Sequence, residues 1–61
     1  MAGSLDTIAL SFYEIGNHDE ALELYNRALA IRVEKLGRRH LDTATAYKNI
    51  GDVFLEKQQP R

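Results

Sequence analysis

The sequence predicts an all-α fold in which a helical hairpin is followed by a third helix. Apolar residues recur at helical spacing along three segments, and no stretch alternates apolar and polar residues for long, as a strand would. One arrangement of large and small side chains also occurs twice within the 61 residues. A chain of this length forms one domain, which we place at residues 1–61.

The first helix is predicted over about residues 5–16. Ser4 is a suitable N-cap, because its hydroxyl can accept a hydrogen bond from a free amide near Thr7. Gly16 suits the C-terminal end, since glycine tolerates a left-handed backbone. Residues 1–4 are interpreted either as an expression-tag remnant or as a frayed native start. The apolar stripe of this helix consists of Leu5, Ile8, Phe12 and Ile15.

The second helix is predicted over about residues 19–36. A tight turn at residues 16–18 makes it antiparallel to the first helix, so that residues 5–37 form a hairpin. Asn17 and Glu20 have the spacing of a capping box. Acidic residues at the start and Arg32 and Lys35 near the end match the helix dipole. The apolar stripe is wide enough to contact helices on two sides.

The third helix is predicted over about residues 42–58. Gly37 ends the second helix, and Arg38, Arg39 and His40 form a short polar connection. The third helix is expected to fray around Gln58, before Pro60. Its predicted apolar positions are Ala44, Tyr47, Ile50, Gly51, Phe54 and Leu55.

The repeated arrangement consists of large, large, small and large side chains on one helix face. It is formed first by Leu5, Ile8, Ala9 and Phe12, and 42 residues later by Tyr47, Ile50, Gly51 and Phe54. Glu14 and Glu56 match in the same register. A 36-residue register would align Leu5-Asp6-Thr7 with Leu41-Asp42-Thr43, but it pairs Phe12 with Lys48 and destroys the stripe. The 42-residue register is therefore preferred.

These residues resemble a tetratricopeptide repeat, whose first helix carries a bulky residue, Leu-Gly and an aromatic, and whose second carries Ala-x-x-x-aromatic. The second helix here reads Ala21-Leu22-Glu23-Leu24-Tyr25, with another small residue at Ala28. The 42-residue register exceeds the usual repeat of about 34 residues. Residues 28–40, with Leu36-Gly37 and His40, are similar to the 42-residue repeats of kinesin light chain and related bacterial proteins. The resemblance covers about one and a half repeats, so residues 41–58 would be the first helix of the next repeat.

The resemblance implies a protein-interaction module, because the first helices of such repeats line a groove that binds a peptide or protein. Lys48 would pair with a ligand carboxylate and Asn49 would bond a peptide backbone. A full two-carboxylate clamp is not expected, since Asp6 and Leu10 stand where basic or amide groups are needed. The alternative is an ordinary solvated or self-associating face. The candidate partner-binding residues are Asp6, Leu10, Tyr13, Thr45, Lys48, Asn49, Asp52 and Leu55.

Self-association is a second expectation, because repeat stacks generally need about three repeats to cover their apolar faces. We expect a homodimer or higher oligomer, formed by packing third helices together or by exchanging an element through residues 16–18 or 37–40. A purely structural or engineered self-assembling fragment with no ligand of its own is the alternative. The candidate self-association residues are Tyr47, Ile50, Phe54 and Leu55.

Composition argues against other function classes. The net charge of −1 offers no basic surface for nucleic acid or membrane. There is no cysteine, and His18 and His40 lie in separate connections without a motif around them, so no metal, cofactor or catalytic site is predicted. The chain is expected to be non-enzymatic and, lacking a secretory signal or a long apolar run, cytoplasmic.

Overall fold

The computed structural model describes residues 2–58, and all regular structure in that range is α-helical. The all-α prediction is confirmed. Met1, the first of the residues interpreted as a tag remnant or frayed start, and Pro60, expected to follow the third helix, lie outside the described residues. The helices are α1 (Ala2–Glu14), α2 (His18–Leu36) and α3 (Leu41–Gln58).

The start of α1 differs from the prediction, whereas its end has the expected chemistry. Ser4 is not the N-cap, since the helix already includes Ala2. The Thr7 hydroxyl donates to the Gly3 carbonyl at 3.1 Å, four residues back, as in a formed helical turn. The last helical residue is Glu14 rather than Gly16, but Gly16 has the positive φ of 89° that a C-terminal cap requires.

The turn between α1 and α2 is a Schellman motif. The amide of Asn17 donates to the Phe12 carbonyl at 2.8 Å, and the amide of Gly16 donates to the Tyr13 carbonyl at 3.1 Å. The predicted capping box is wrong, because the Asn17 side chain makes no capping hydrogen bond. Its ψ of 73° lies outside the extended region in which a cap side chain reaches the free amides.

Side-chain hydrogen bonds hold the connection between α2 and α3 in place. Gly37 ends α2 with φ 84°, as predicted. His40 Nδ1 accepts a hydrogen bond from the Asp42 amide at 3.1 Å, so this imidazole caps α3. The buried Thr43 hydroxyl donates to the Gly37 carbonyl at 2.7 Å. These bonds place the beginning of α3 against the end of α2.

The core lies along α2, which packs against both α1 and α3. Among the described residues, four fully buried alanines, Ala9, Ala21, Ala28 and Ala46, permit close helix contact because they project little beyond the backbone. Larger side chains complete the main cluster around Ala9 and Ala21; these are Leu22, Tyr25 and Val53, with Phe12, Tyr13, Leu24 and Ile50 packed at its edge.

The buried face of α3 is not the one predicted from the repeat. Thr43, Ala46 and Val53 are buried, whereas the predicted apolar positions other than Ile50 are exposed. The physical reason is that the two outer helices use different sides. Helix α1 packs on α2 through its stripe residues Ala9 and Phe12, whereas α3 packs on α2 through a side other than its stripe. Of the second copy of the stripe, only Ile50 packs against the core, and Tyr47, Gly51 and Phe54 are exposed.

Candidate functional site

A shallow groove runs between α1 and α3, with α2 beneath it. Leu10 and Tyr13 come from one face of α1, and Asn49, Asp52 and Val53 come from the facing side of α3. Each set repeats at intervals of three or four residues, which places its members on one side of the helix. Tyr25 of α2 completes the lining, and the cavity has a volume of about 70 Å³.

The floor of the groove is formed by Tyr25, which is buried. Tyr25 is only 5% exposed, and burial raises the pKa of its hydroxyl. The Asp6, Asp52 and Glu14 carboxylates raise that pKa further, because negative charge opposes formation of the phenolate. The groove therefore offers apolar contact at its centre and the Asp52 carboxylate at its edge.

Four of the predicted partner-binding residues meet in this groove: Leu10, Tyr13, Asn49 and Asp52. The other four do not line the cavity. Asp6 pairs instead with Arg32 of α2, and the Thr45 hydroxyl donates to the Leu41 carbonyl at 3.1 Å. Lys48 Nζ lies 3.4 Å from Asp52 Oδ2, and both side chains are largely exposed. Leu55 is 59% exposed and lies outside the groove.

A larger cleft adjoins the groove at the α1–α2 turn. Tyr13 lines both cavities, so the two are neighbours. The Tyr13 and His18 rings lie 5.6 Å apart at 49°, forming an aromatic wall. The volume of the cleft is about 420 Å³, and its lining is Tyr13, Glu14, Ile15, Gly16, His18 and Glu56.

Sequence reasoning missed this cleft as a site. The available signal was the register that pairs Glu14 with Glu56, because it places two carboxylates at the same level of two helices that share one direction. His18 was interpreted only as a turn residue. Its contact with Tyr13 depends on the path of the turn, which spacing along the chain does not specify.

The predicted self-association residues fall into two groups. Ile50 packs against the core, and so it faces its own chain. Tyr47 and Phe54 are 48% and 46% exposed, and they lie seven residues apart on the outer side of α3. With Gly51 between them and Leu55 beside them, they form what we call the outer stripe of α3.

The described part of the chain offers no constellation typical of metal binding. Within residues 2–58 there is no group of three or more His, Cys, Asp and Glu residues that could hold a metal ion. In the same range, no helix is both long and apolar enough to cross a membrane.

The family model for the tetratricopeptide repeat matches residues 1–61, which is the entire chain. Neither a curated protein nor a solved structure matches.

Proposed function

The chain belongs to the tetratricopeptide repeat family, and we propose that it binds a peptide or protein segment in the groove between α1 and α3. Repeats of this family form a non-enzymatic fold that generally binds proteins or peptides. In this proposal, residues 5–37 are one repeat and α3 is the first helix of the next. The groove then lies between two first helices, where the family resemblance predicts the binding surface.

The observation that carries this proposal is the mixture of side chains in the groove. Leu10 is 46% exposed beside the Tyr13 ring, so an apolar side chain of a ligand can be desolvated there. Asn49 makes no side-chain hydrogen bond to the described residues, and its amide can both donate to and accept from a peptide backbone. Asp52 adds a carboxylate at the rim.

The proposal predicts that groove variants lose peptide affinity without losing the fold. A phage-displayed library of random dodecamers is selected on the immobilised chain, and the affinity of the enriched peptides is measured by fluorescence anisotropy. Asn49→Ala removes a side-chain hydrogen bond to the ligand and should weaken binding by about threefold to tenfold. Leu10→Ala should have an effect of similar size, because it removes apolar contact.

Arg27→Ala is the matched control for these variants. Arg27 lies on α2 outside the groove and is 64% exposed, so this change should leave peptide affinity unaltered. Circular dichroism checks that each variant is folded. Failure to enrich any peptide, or affinities that do not respond to Asn49→Ala and Leu10→Ala, would contradict groove binding.

We also propose that the chain self-associates through the outer stripe of α3. Tyr47 and Phe54 are about half exposed, whereas their counterparts on α1, Leu5 and Phe12, are partly buried. A Cβ added at Gly51 would meet nothing within 4 Å, so packing within this chain does not require glycine there. A glycine at the centre of an exposed apolar stripe permits close approach of a second α3 helix.

Self-association predicts a dimer that Phe54→Asp converts to a monomer. The substituted carboxylate would have to be desolvated at the contact, which is strongly unfavourable. Sedimentation velocity at micromolar concentrations measures the change. Leu41→Asp, at an exposed leucine outside the stripe, is the control and should remain dimeric. A wild-type chain that stays monomeric would rule out this contact, whereas a dimer without peptide binding would support the purely structural alternative.

A further inference from the structure

The cleft at the α1–α2 turn differs chemically from the groove it adjoins. Its wall contains the paired rings of Tyr13 and His18, and its rim carries the carboxylates of Glu14 and Glu56. Ile15, which is 75% exposed, adds apolar surface. An aromatic wall next to carboxylates is suited to a cation, because ring faces and carboxylates both attract positive charge.

Within residues 2–58, Lys57, Arg38 and Arg39 are directed away from Glu14. Glu14 makes no ion pair within residues 2–58, although Lys57 lies at the same end of the molecule. Lys57 Nζ instead donates to Asp19 at 2.6 Å, and this hydrogen bond lowers the pKa of Asp19. Arg38 and Arg39 lie in the connection at the opposite end of α2. The Glu14 carboxylate is therefore able to attract an external cation.

The position of Glu14 does not serve helix stability. It is the last residue of α1, where the negative end of the helix dipole disfavours a carboxylate. Glu56 is likewise in the last turn of α3. Residues that oppose a local stability rule are expected at functional sites, so both placements agree with a binding role.

We infer that the cleft receives a basic side chain, arginine in preference to lysine, from a peptide that lies in the groove. This inference rests on the proposed groove function, since Tyr13 connects the two cavities. Arginine is preferred because its planar guanidinium can stack on a ring while it donates to a carboxylate. An ammonium group lacks the planar surface for that stacking. The peptide partner is thus one with a basic residue next to its groove-bound segment.

Glu14→Gln tests this inference, because it removes the charge and keeps the size of the side chain. The probes are the dodecamers selected on the wild-type chain and synthetic versions in which the basic residue is changed to glutamine. We expect enrichment of arginine among the selected peptides. The arginine-to-glutamine peptide should bind the wild-type chain at least about threefold more weakly, and the difference should disappear in Glu14→Gln.

Glu34→Gln is the matched control, since Glu34 is an exposed carboxylate on α2 outside the cleft. This variant should retain the full preference for the arginine peptide. Raising the salt concentration should weaken binding of the arginine peptide more than binding of the glutamine peptide, because salt screens the attraction between partly exposed charges.

Three outcomes would overturn the inference. In the first, the affinity of the selected peptides falls in Asn49→Ala, but the peptides are not enriched in basic residues and their affinity is unchanged in Glu14→Gln. This result would refute the role of the cleft and leave groove binding intact. An equal loss in Glu14→Gln and Glu34→Gln would show a general charge effect rather than a seated side chain. Absence of any selected peptide would remove the groove function and, with it, this inference.

Discussion

Arg32 makes a side-chain link between α2 and α1. Its guanidinium donates to both carboxylate oxygens of Asp6, at 3.1 and 2.5 Å. The hydrogen bond to Asp6 raises the pKa of Arg32, and the two side chains are only 14% and 24% exposed. Asp6, a candidate partner-binding residue, is thus paired within the hairpin.

Arg32→Ala is predicted to destabilise the fold by about 1–3 kcal/mol, because it leaves the mostly buried Asp6 carboxylate without its partner. Arg27→Ala is the comparison, since the Arg27–Glu23 pair is 64% and 57% exposed and contributes about 0–0.5 kcal/mol. Urea denaturation followed by circular dichroism measures both. An equal decrease in the free energy of unfolding in the two variants would show that the Asp6–Arg32 pair stabilises the fold no more than an exposed surface pair does.

Single-residue roles were predictable where backbone conformation decides them. Gly16 and Gly37 both have positive φ, as expected for residues beyond a helix end. The caps assigned to Ser4 and Asn17 were wrong, because a capping bond depends on helix start and on dihedral angles that residue type alone does not determine. The cap at His40 comes from an imidazole, which is not among the residue types preferred at that position.

At the level of elements, Gly37 and Gly51 have opposite predicted effects on stability. Gly37 ends α2 with φ 84° and ψ 169°, a conformation that a Cβ strains. Gly51 lies inside α3, where a Cβ meets no atom within 4 Å. Gly37→Ala should therefore destabilise the fold by about 1–3 kcal/mol, and Gly51→Ala should stabilise α3 by about 0.5–1 kcal/mol.

Thermal and urea unfolding of the two glycine variants provide the measurement. It is made at a concentration low enough to keep the chain monomeric, since Gly51 also lies in the outer stripe. A stabilising Gly37→Ala change would show that residue 37 does not hold the left-handed backbone. A destabilising Gly51→Ala change would mean that α3 packs against another part of the chain at that position.

The three helices were predicted to within three residues at each end, because apolar spacing and the predicted connections at residues 16–18 and 37–40 specify them. The contact face of α3 was not predictable in the same way. The stripe at Tyr47, Gly51 and Phe54 has the correct spacing for packing against another helix. It is nevertheless exposed, although α2 packs against both α1 and α3. Which side of α3 reaches α2 is determined by tertiary packing, in which Ala46 and Val53 are buried.

At the level of the whole molecule, three open surfaces surround one small core: the groove, the adjoining cleft and the outer stripe of α3. The groove could be predicted in part, since Leu10, Tyr13, Asn49 and Asp52 do meet there. The cleft could not, because it requires the turn to place His18 against Tyr13 and the C-terminal ends of α1 and α3 to lie at one level.

Chemical-shift mapping of the ¹⁵N-labelled chain, titrated with a selected dodecamer, locates the binding surface residue by residue. Groove binding predicts that the largest changes fall on the amides of Leu10, Tyr13, Asn49 and Asp52, and that Arg27 is unaffected. Changes confined to the outer stripe around Tyr47 and Phe54, or none at saturating peptide, would contradict binding between α1 and α3.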